Sequence, residues 1–170
     1  MKEAIGGTWL FQIVIVFILI FTGYICLSIN HSKAFAVKDD IIETIERYNG
    51  IDLDSVTNAK DNLSNPCIEA ITDRLKTVSY RTSGNCTKLN SGDANDSKWA
   101  GFNREGGRND EHATYCIKEI NTSKGNSELP SIRYYKVAVF YQLDLPVFNS
   151  FLSFKVIGDT KLIYQKGLSE

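Results

Sequence analysis

The chain is poor in the residues that carry most enzyme chemistry. Only two of its 170 residues are histidine, His31 and His112. That scarcity argues against His-based catalysis and against a His-rich metal site. No Cys-x-x-Cys occurs, so the usual zinc spacing is missing, and neither Gly-x-Ser-x-Gly nor His-Glu-x-x-His is present. Charge of one sign is also lacking. The 19 basic and 20 acidic residues are interspersed, with no basic stripe. Nucleic-acid binding therefore has no electrostatic footprint. Two local groupings come near a site and fall short of one. Asp110-Glu111-His112 with Cys116 mixes hard and soft ligands without a standard geometry. Glu105-Gly106-Gly107-Arg108 lacks the Lys-Ser/Thr of a phosphate loop and reads as a turn. Asn-x-Ser/Thr triplets include those at Asn62, Asn85, Asn95 and Asn121, where chance yields a couple in so Asn-rich a chain, and no other signal of a eukaryotic ectodomain accompanies them. The expectation is a non-enzymatic protein with no catalytic residues, no cofactor and no bound metal.

What is present is one long apolar run, residues 8–29, with no charge inside it. As an α-helix it spans about 33 Å, against roughly 30 Å for a bilayer's hydrocarbon core. A helix also satisfies every backbone polar group internally, as lipid demands. Residues 8–30 are read as a retained transmembrane helix. The alternative is a cleaved secretory signal, whose apolar stretch is shorter, about 7–15 residues. Ala34-Phe35-Ala36 comes near a small-x-small cleavage site. Flanking charge is nearly even, with Lys2 and Glu3 before the run and Lys33, Lys38, Asp39 and Asp40 after it. Long domains translocate largely regardless of charge. The expected topology is a single-pass protein of the cell membrane, with a cytoplasmic N-terminus and the C-terminal domain outside.

The helical pattern continues beyond lipid over residues 31–49. Ala34, Phe35, Val37, Ile41, Ile42, Ile45 and Tyr48 recur at three- and four-residue spacing, and Lys38, Asp39, Glu43, Glu46 and Arg47 fill the other face. Asn49-Gly50 supplies a left-handed stop. Residues 50–170 form the head. Within it, 51–64 is a polar connection. Ser64-Asn65-Pro66 starts a second helix, since Ser or Asn caps and Pro suits the first turn. Its stripe is Ile68, Ile71, Leu75 and Val78. Residues 89–111 read as a surface loop pinned by Trp99 and Phe102.

The last third is strand-like, beginning with residues 114–120. Tyr135, Val137, Val139, Tyr141, Leu143 and Leu145 alternate with Lys136, Ala138, Gln142 and Asp144, the pattern of a half-buried central strand ended by Pro146. Residues 151–157 and 161–164 are two further strands, with Gly158-Asp159 as a tight hairpin turn. The fold class is α+β: a long N-terminal helix, a second helix and a C-terminal antiparallel sheet with a helix on one face.

Four cysteines are present. Cys26 lies in the apolar run and behaves as a small apolar residue. Three remain in the head, which allows at most one internal bridge. Cys86 and Cys116 lie in strand-like stretches and are the favoured pair, with Cys67 left over. Spacing alone leaves three reduced thiols open as the alternative.

This plan resembles that of type IV pilin-like proteins. Met1-Lys2-Glu3-Ala4-Ile5-Gly6-Gly7, followed at once by the apolar run, looks like a short prepilin leader. Tyr135 to Leu145, Pro146, and then Phe151 to Thr160 look like the end of TadE-like pseudopilins, minor components of tight-adherence pilus systems. The resemblance covers both ends of the chain; residues 50–110 match nothing in it. It implies cleavage after Gly6 or Gly7 by a prepilin peptidase, and helix–helix assembly with other pilin-like subunits and pilus assembly proteins. One departure stands out. That family usually carries Glu at the fifth mature position, and cleavage after Gly7 places Gln12 there. Gln accepts a hydrogen bond but does not neutralise a neighbour's amino terminus. The alternative role for Gln12 is packing against a partner helix.

Three functions follow as expectations. The first is a pilin-like minor subunit, held in membrane lipid until partner helices bury a stripe of Phe35, Ile41 and Ile45. The second is a single-pass anchored extracellular module that binds a ligand or partner protein. The third is a membrane-bound enzyme, which requires a pocket of converging polar groups.

Overall fold

The computed structural model describes residues 2–51, 53, 65–78, 80, 82–89, 98–121, 131–143 and 152–165. Helix α1 runs from Lys2 to Arg47 as one 46-residue element, about 69 Å long. It does not break where the apolar run ends. It stops at the predicted place and by the predicted means. Asn49 (φ 56°) and Gly50 (φ 106°) are left-handed. The Gly50 N–H donates to the Ile45 carbonyl at 3.0 Å, and the Asn49 N–H to that of Glu46 at 3.2 Å. This paired closure is the Schellman arrangement, which satisfies carbonyls that the helix end leaves open.

Helix α2 spans Pro66–Val78. Asn65 caps it: its side-chain oxygen accepts from the Cys67 N–H at 3.1 Å. Ile68, Ile71 and Leu75 are buried as the spacing predicted, together with Cys67 and Thr72. Val78, predicted for the same stripe, is exposed instead. It closes the last turn of α2, at the rim of a small gap that it lines with Val37, Ile41 and Thr44 of α1.

Five strands follow: β1 (Ala100–Phe102), β2 (Tyr115–Asn121), β3 (Ser131–Leu143), β4 (Leu152–Asp159) and β5 (Ile163–Gln165). All pairings are antiparallel, in the order β1-β2-β3-β4, with β5 also on β3. The 13-residue β3 is thus the central strand that its alternation predicted. Leu145 and Pro146 lie outside the described residues, as does most of the 51–64 connection.

The expected hairpin at Gly158-Asp159 is absent. Lys136 pairs with Asp159 and Arg133 with Ile163, so β4 and β5 follow each other along the same edge of β3. Three steps on β3 oppose four on the other strand, which makes one extra residue, a bulge. Thr160 resolves it. Its N–H donates to the Tyr135 carbonyl, and its hydroxyl accepts the Tyr135 N–H, both at 2.9 Å. The side chain thereby takes the donor that the broken ladder leaves open. Gly158 serves close packing and not a turn: a Cβ there would meet Lys38 Cδ at 2.8 Å and Ile42 Cδ1 at 2.9 Å. Helix α1 lies directly on β4 at that point.

The sheet is covered on both faces. On one, Ala34, Val37, Ile41 and Ile45 of α1 and the α2 stripe pack on Phe102, Tyr115, Ile117, Tyr135, Val137, Val139 and Val156. On the other, Cys86, Trp99, Ala113, Cys116, Ala138 and Phe140 form a second, smaller core. Ala138, predicted on a solvated face, is fully buried there. The reason is the segment that reads as a surface loop. It contributes Trp99 to this core, and before it Gly84 pairs with Ala113 to bring Cys86 over the same face. Trp99 and Phe102 pin this segment as expected, one into each core. Residues 90–97 lie outside the described set.

Tyr135 ties the far end together. Its hydroxyl donates to the Ile51 carbonyl at 2.9 Å, just past the end of α1. Tyr135→Phe leaves that buried carbonyl without its partner and is expected to cost about 1–2 kcal/mol. Urea unfolding in detergent micelles, compared with the parent chain, reads this directly.

Candidate functional site

The region where the apolar run enters the head is the candidate site. Among the described residues, one helix is long and apolar enough to cross a membrane, and its most apolar 18-residue window has no residue buried in the protein. Trp9 and Tyr24 are both exposed, about 22 Å apart along the axis. Trp9, at the start of the run, suits a headgroup level, and Tyr24 lies within the span. A long apolar helix without protein cover fits a single-pass transmembrane anchor.

The head grips α1 over the last turn of this stretch and beyond. Leu27 already packs on the core. The Asn30 amide donates to the Gln142 carbonyl at 3.3 Å. His31 touches two rings, Phe35 at 4.7 Å and Tyr141 at 5.7 Å between centroids. Tyr141 stacks in turn on Phe154 at 5.3 Å. Four rings from α1, β3 and β4 therefore form one chain at the anchor end of the head.

Further along, α1 descends β3 in the antiparallel sense. Lys38 and Ile42 lie on Gly158. The Glu46 carboxylate accepts from the Lys161 N–H at 2.9 Å and pairs with its ammonium at 3.2 Å. That backbone N–H, more than the ammonium, holds the Glu46 carboxyl below its ordinary range.

The residues expected to mediate assembly divide. Gly6 and Gly7 lie in the first turns of α1. Gln12 is exposed among apolar neighbours, and Phe35 is 40% exposed. Ile41 and Ile45 are 2% and 0% exposed, packed under their own sheet. The single stripe read from the spacing is therefore not one surface. Its Ile41–Ile45 part is satisfied within the chain, because the sheet presents a matching apolar face.

Cys86 and Cys116 are bridged, with Cα atoms 5.9 Å apart. Cys67 is free and buried, and burial pushes its thiol up to about 12. Held as a thiol in apolar surroundings, it is inert. Cys116 being bridged, it supplies no ligand to the Asp110-Glu111-His112 group. Asp110 instead accepts the Gly101 N–H at 2.6 Å and lies 3.8 Å from Arg108.

An open groove of about 440 Å³ lies beside the same end of the head, lined by Thr82, Ser83, Asn103, Arg104, Glu105, Thr114 and Gln142. Beside it two hydroxyls meet on one carbonyl: Tyr80 and Thr82 both donate to Phe140 O, at 2.5 and 2.6 Å. Burial pushes Tyr80 up to about 12, and burial likewise raises Tyr135 and Tyr115. All three stay neutral at physiological pH, as structural groups and not as acids or bases. The groove offers hydrogen-bonding groups of both kinds.

Sequence reasoning missed the Asn30–Gln142 contact and the ring chain. A usable signal existed. Polar residues that close an apolar run, followed at once by an aromatic at helical spacing, mark a helix that is met by protein there. No protein-family model matches the chain, and neither a curated protein nor a solved structure does.

Proposed function

We propose that this chain is a non-enzymatic, membrane-anchored subunit of pilin-like type, a TadE-like minor component in the assembly of a surface pilus or secretion-type filament. The observation that carries the reading is the continuity of α1. One helix carries a bare apolar stretch from Thr8 onward and forms part of the core of an antiparallel head over its second half. Such a rod allows lateral helix contacts in lipid while the head stays folded. The bridge between Cys86 and Cys116 supports a head outside the cell membrane, where disulfides persist, with the N-terminus cytoplasmic.

In this reading membrane lipid is the first partner and other pilin-like helices the second. Gln12 is the polar contact among them, since a carboxamide in hydrocarbon gains by bonding across helices. Ile41 and Ile45 contribute through the head's stability and not by meeting a neighbour. A prepilin peptidase removes residues up to Gly6 or Gly7.

Intact-mass measurement of membrane-purified protein, with and without such a peptidase, tests the proposal. The expected result is loss of the leader, blocked when both glycines are replaced by alanine. A mass unchanged by active peptidase overturns it. The second reading, an anchored extracellular binding module, is favoured by the polar groove between Thr82 and Gln142. It expects an intact N-terminus.

A further inference from the structure

We infer that the head is seated on the bilayer, its aromatic end occupying the headgroup layer of the membrane that α1 crosses. The inference rests on the anchor part of the proposed function and not on pilin membership. The occupant is a fluid phospholipid surface, and continuity with the span identifies it.

Height above the membrane follows from contacts. The apolar run ends at Ile29, and the headgroup layer occupies about 5–7 Å beyond the hydrocarbon on each side. At 1.5 Å per residue, that layer takes in roughly residues 30–34 of α1. His31 lies inside it. Tyr141 touches His31, and Phe154 stacks on Tyr141, so both rings share its level. The hydrogen bond from Asn30 to Gln142 O fixes the same height independently. Beyond Gln142 the ladder adds one more pair, Leu143 with Leu152. One strand residue advances about 3.3 Å, which brings this pair level with about Ser28, inside the last turn of the apolar run. The end of the β3–β4 ladder therefore reaches the lipid edge.

The chemistry at that level suits the place. Phe154 is 37% exposed and Phe35 40%, and Lys38 Nζ lies 4.6 Å over the Phe35 ring. Half-exposed rings beside a cation are favoured where one side is apolar and the other wet. Nothing flexible intervenes either, since α1 is continuous through residue 30. Two contacts, one helix and one strand pair, then hold the tilt of the head.

Tryptophan quenching in phosphatidylcholine vesicles brominated at a shallow acyl position tests this with the full chain. In a Trp9→Phe, Trp99→Phe background, Phe154→Trp is expected to show a blue-shifted emission and about a twofold loss of fluorescence. Tyr164→Trp, 65% exposed at the opposite end of the sheet, is expected to show neither change. Should Phe154→Trp fail to fold, Phe35→Trp reads the same end of the head. The chain with only Trp99→Phe reports on the anchor through Trp9. Quenched Trp9 with an unquenched, water-like tryptophan at 154 overturns the seating and leaves the anchor intact. Unquenched Trp9 overturns the anchor and the seating with it.

Discussion

Ile45→Ala is expected to destabilise the head by about 2–5 kcal/mol, the range for truncating a fully buried aliphatic side chain. Ile45 has no exposed surface, and it sits in the last full turn of α1 within the main core. The cost has two parts: lost transfer of three carbons from water, and a cavity that the helix and sheet fill only partly. Few single changes take more from a domain whose whole stability is about 5–15 kcal/mol. Thermal unfolding in micelles, followed by near-ultraviolet circular dichroism, should show a fall of roughly 10 °C or more. Ile18→Ala is the control. Ile18 is 55% exposed in the apolar run, so the head should not notice its loss. An unchanged melting point for Ile45→Ala, with impaired self-association, would return Ile45 to the intersubunit role that its spacing suggests.

Opening the Cys86–Cys116 bridge ranks next. The bridged residues are 30 apart, and closing a loop of that length removes about 3–4 kcal/mol of chain entropy from the unfolded state. The paired change Cys86→Ala with Cys116→Ala also thins the small core around Trp99, Ala113, Ala138 and Phe140. Both cysteines are fully buried, so the two effects add in the same direction. The expected outcome is a loss of about 3–5 kcal/mol in urea unfolding, with Trp99 emission moving first toward that of a wet indole. Reduction of the parent chain with dithiothreitol should reproduce most of the loss. A parent chain equally stable with and without reductant would show that the second core holds without its covalent tie.

Much of the architecture is legible along the chain. The long helix, its stop at Asn49-Gly50, the cap at Asn65-Pro66 and the alternation of β3 each rest on residues within a few positions of one another. Such signals survive because each is a local energy: a capping hydrogen bond, a left-handed turn, a period that sorts side chains to one face. Partnership is less legible. Gly158 carries the mark of a turn in sequence, yet its missing Cβ admits Lys38 and Ile42 from a helix some 120 residues earlier. Residues 100–102 lie in a stretch with the composition of a loop, yet they form an edge strand because β2 has an open side. Ile41 and Ile45 carry a stripe that fits a neighbouring subunit equally well, and their own sheet reached it first.

The amino-acid order alone determined that the chain carries one long apolar rod and that an amphipathic continuation leads it into an α+β head; the pairing of Cys86 with Cys116 it left open. Tertiary structure decided which surfaces are consumed inside the chain and which are left for lipid or partners. It also set where the head meets the helix, at Asn30 and Gln142, and turned an expected hairpin into a bulge closed by Thr160. The division has a physical origin. Helix periods and turn conformations belong to one stretch of backbone, whereas burial belongs to a pair of surfaces, and the second member of each pair lies far away along the chain.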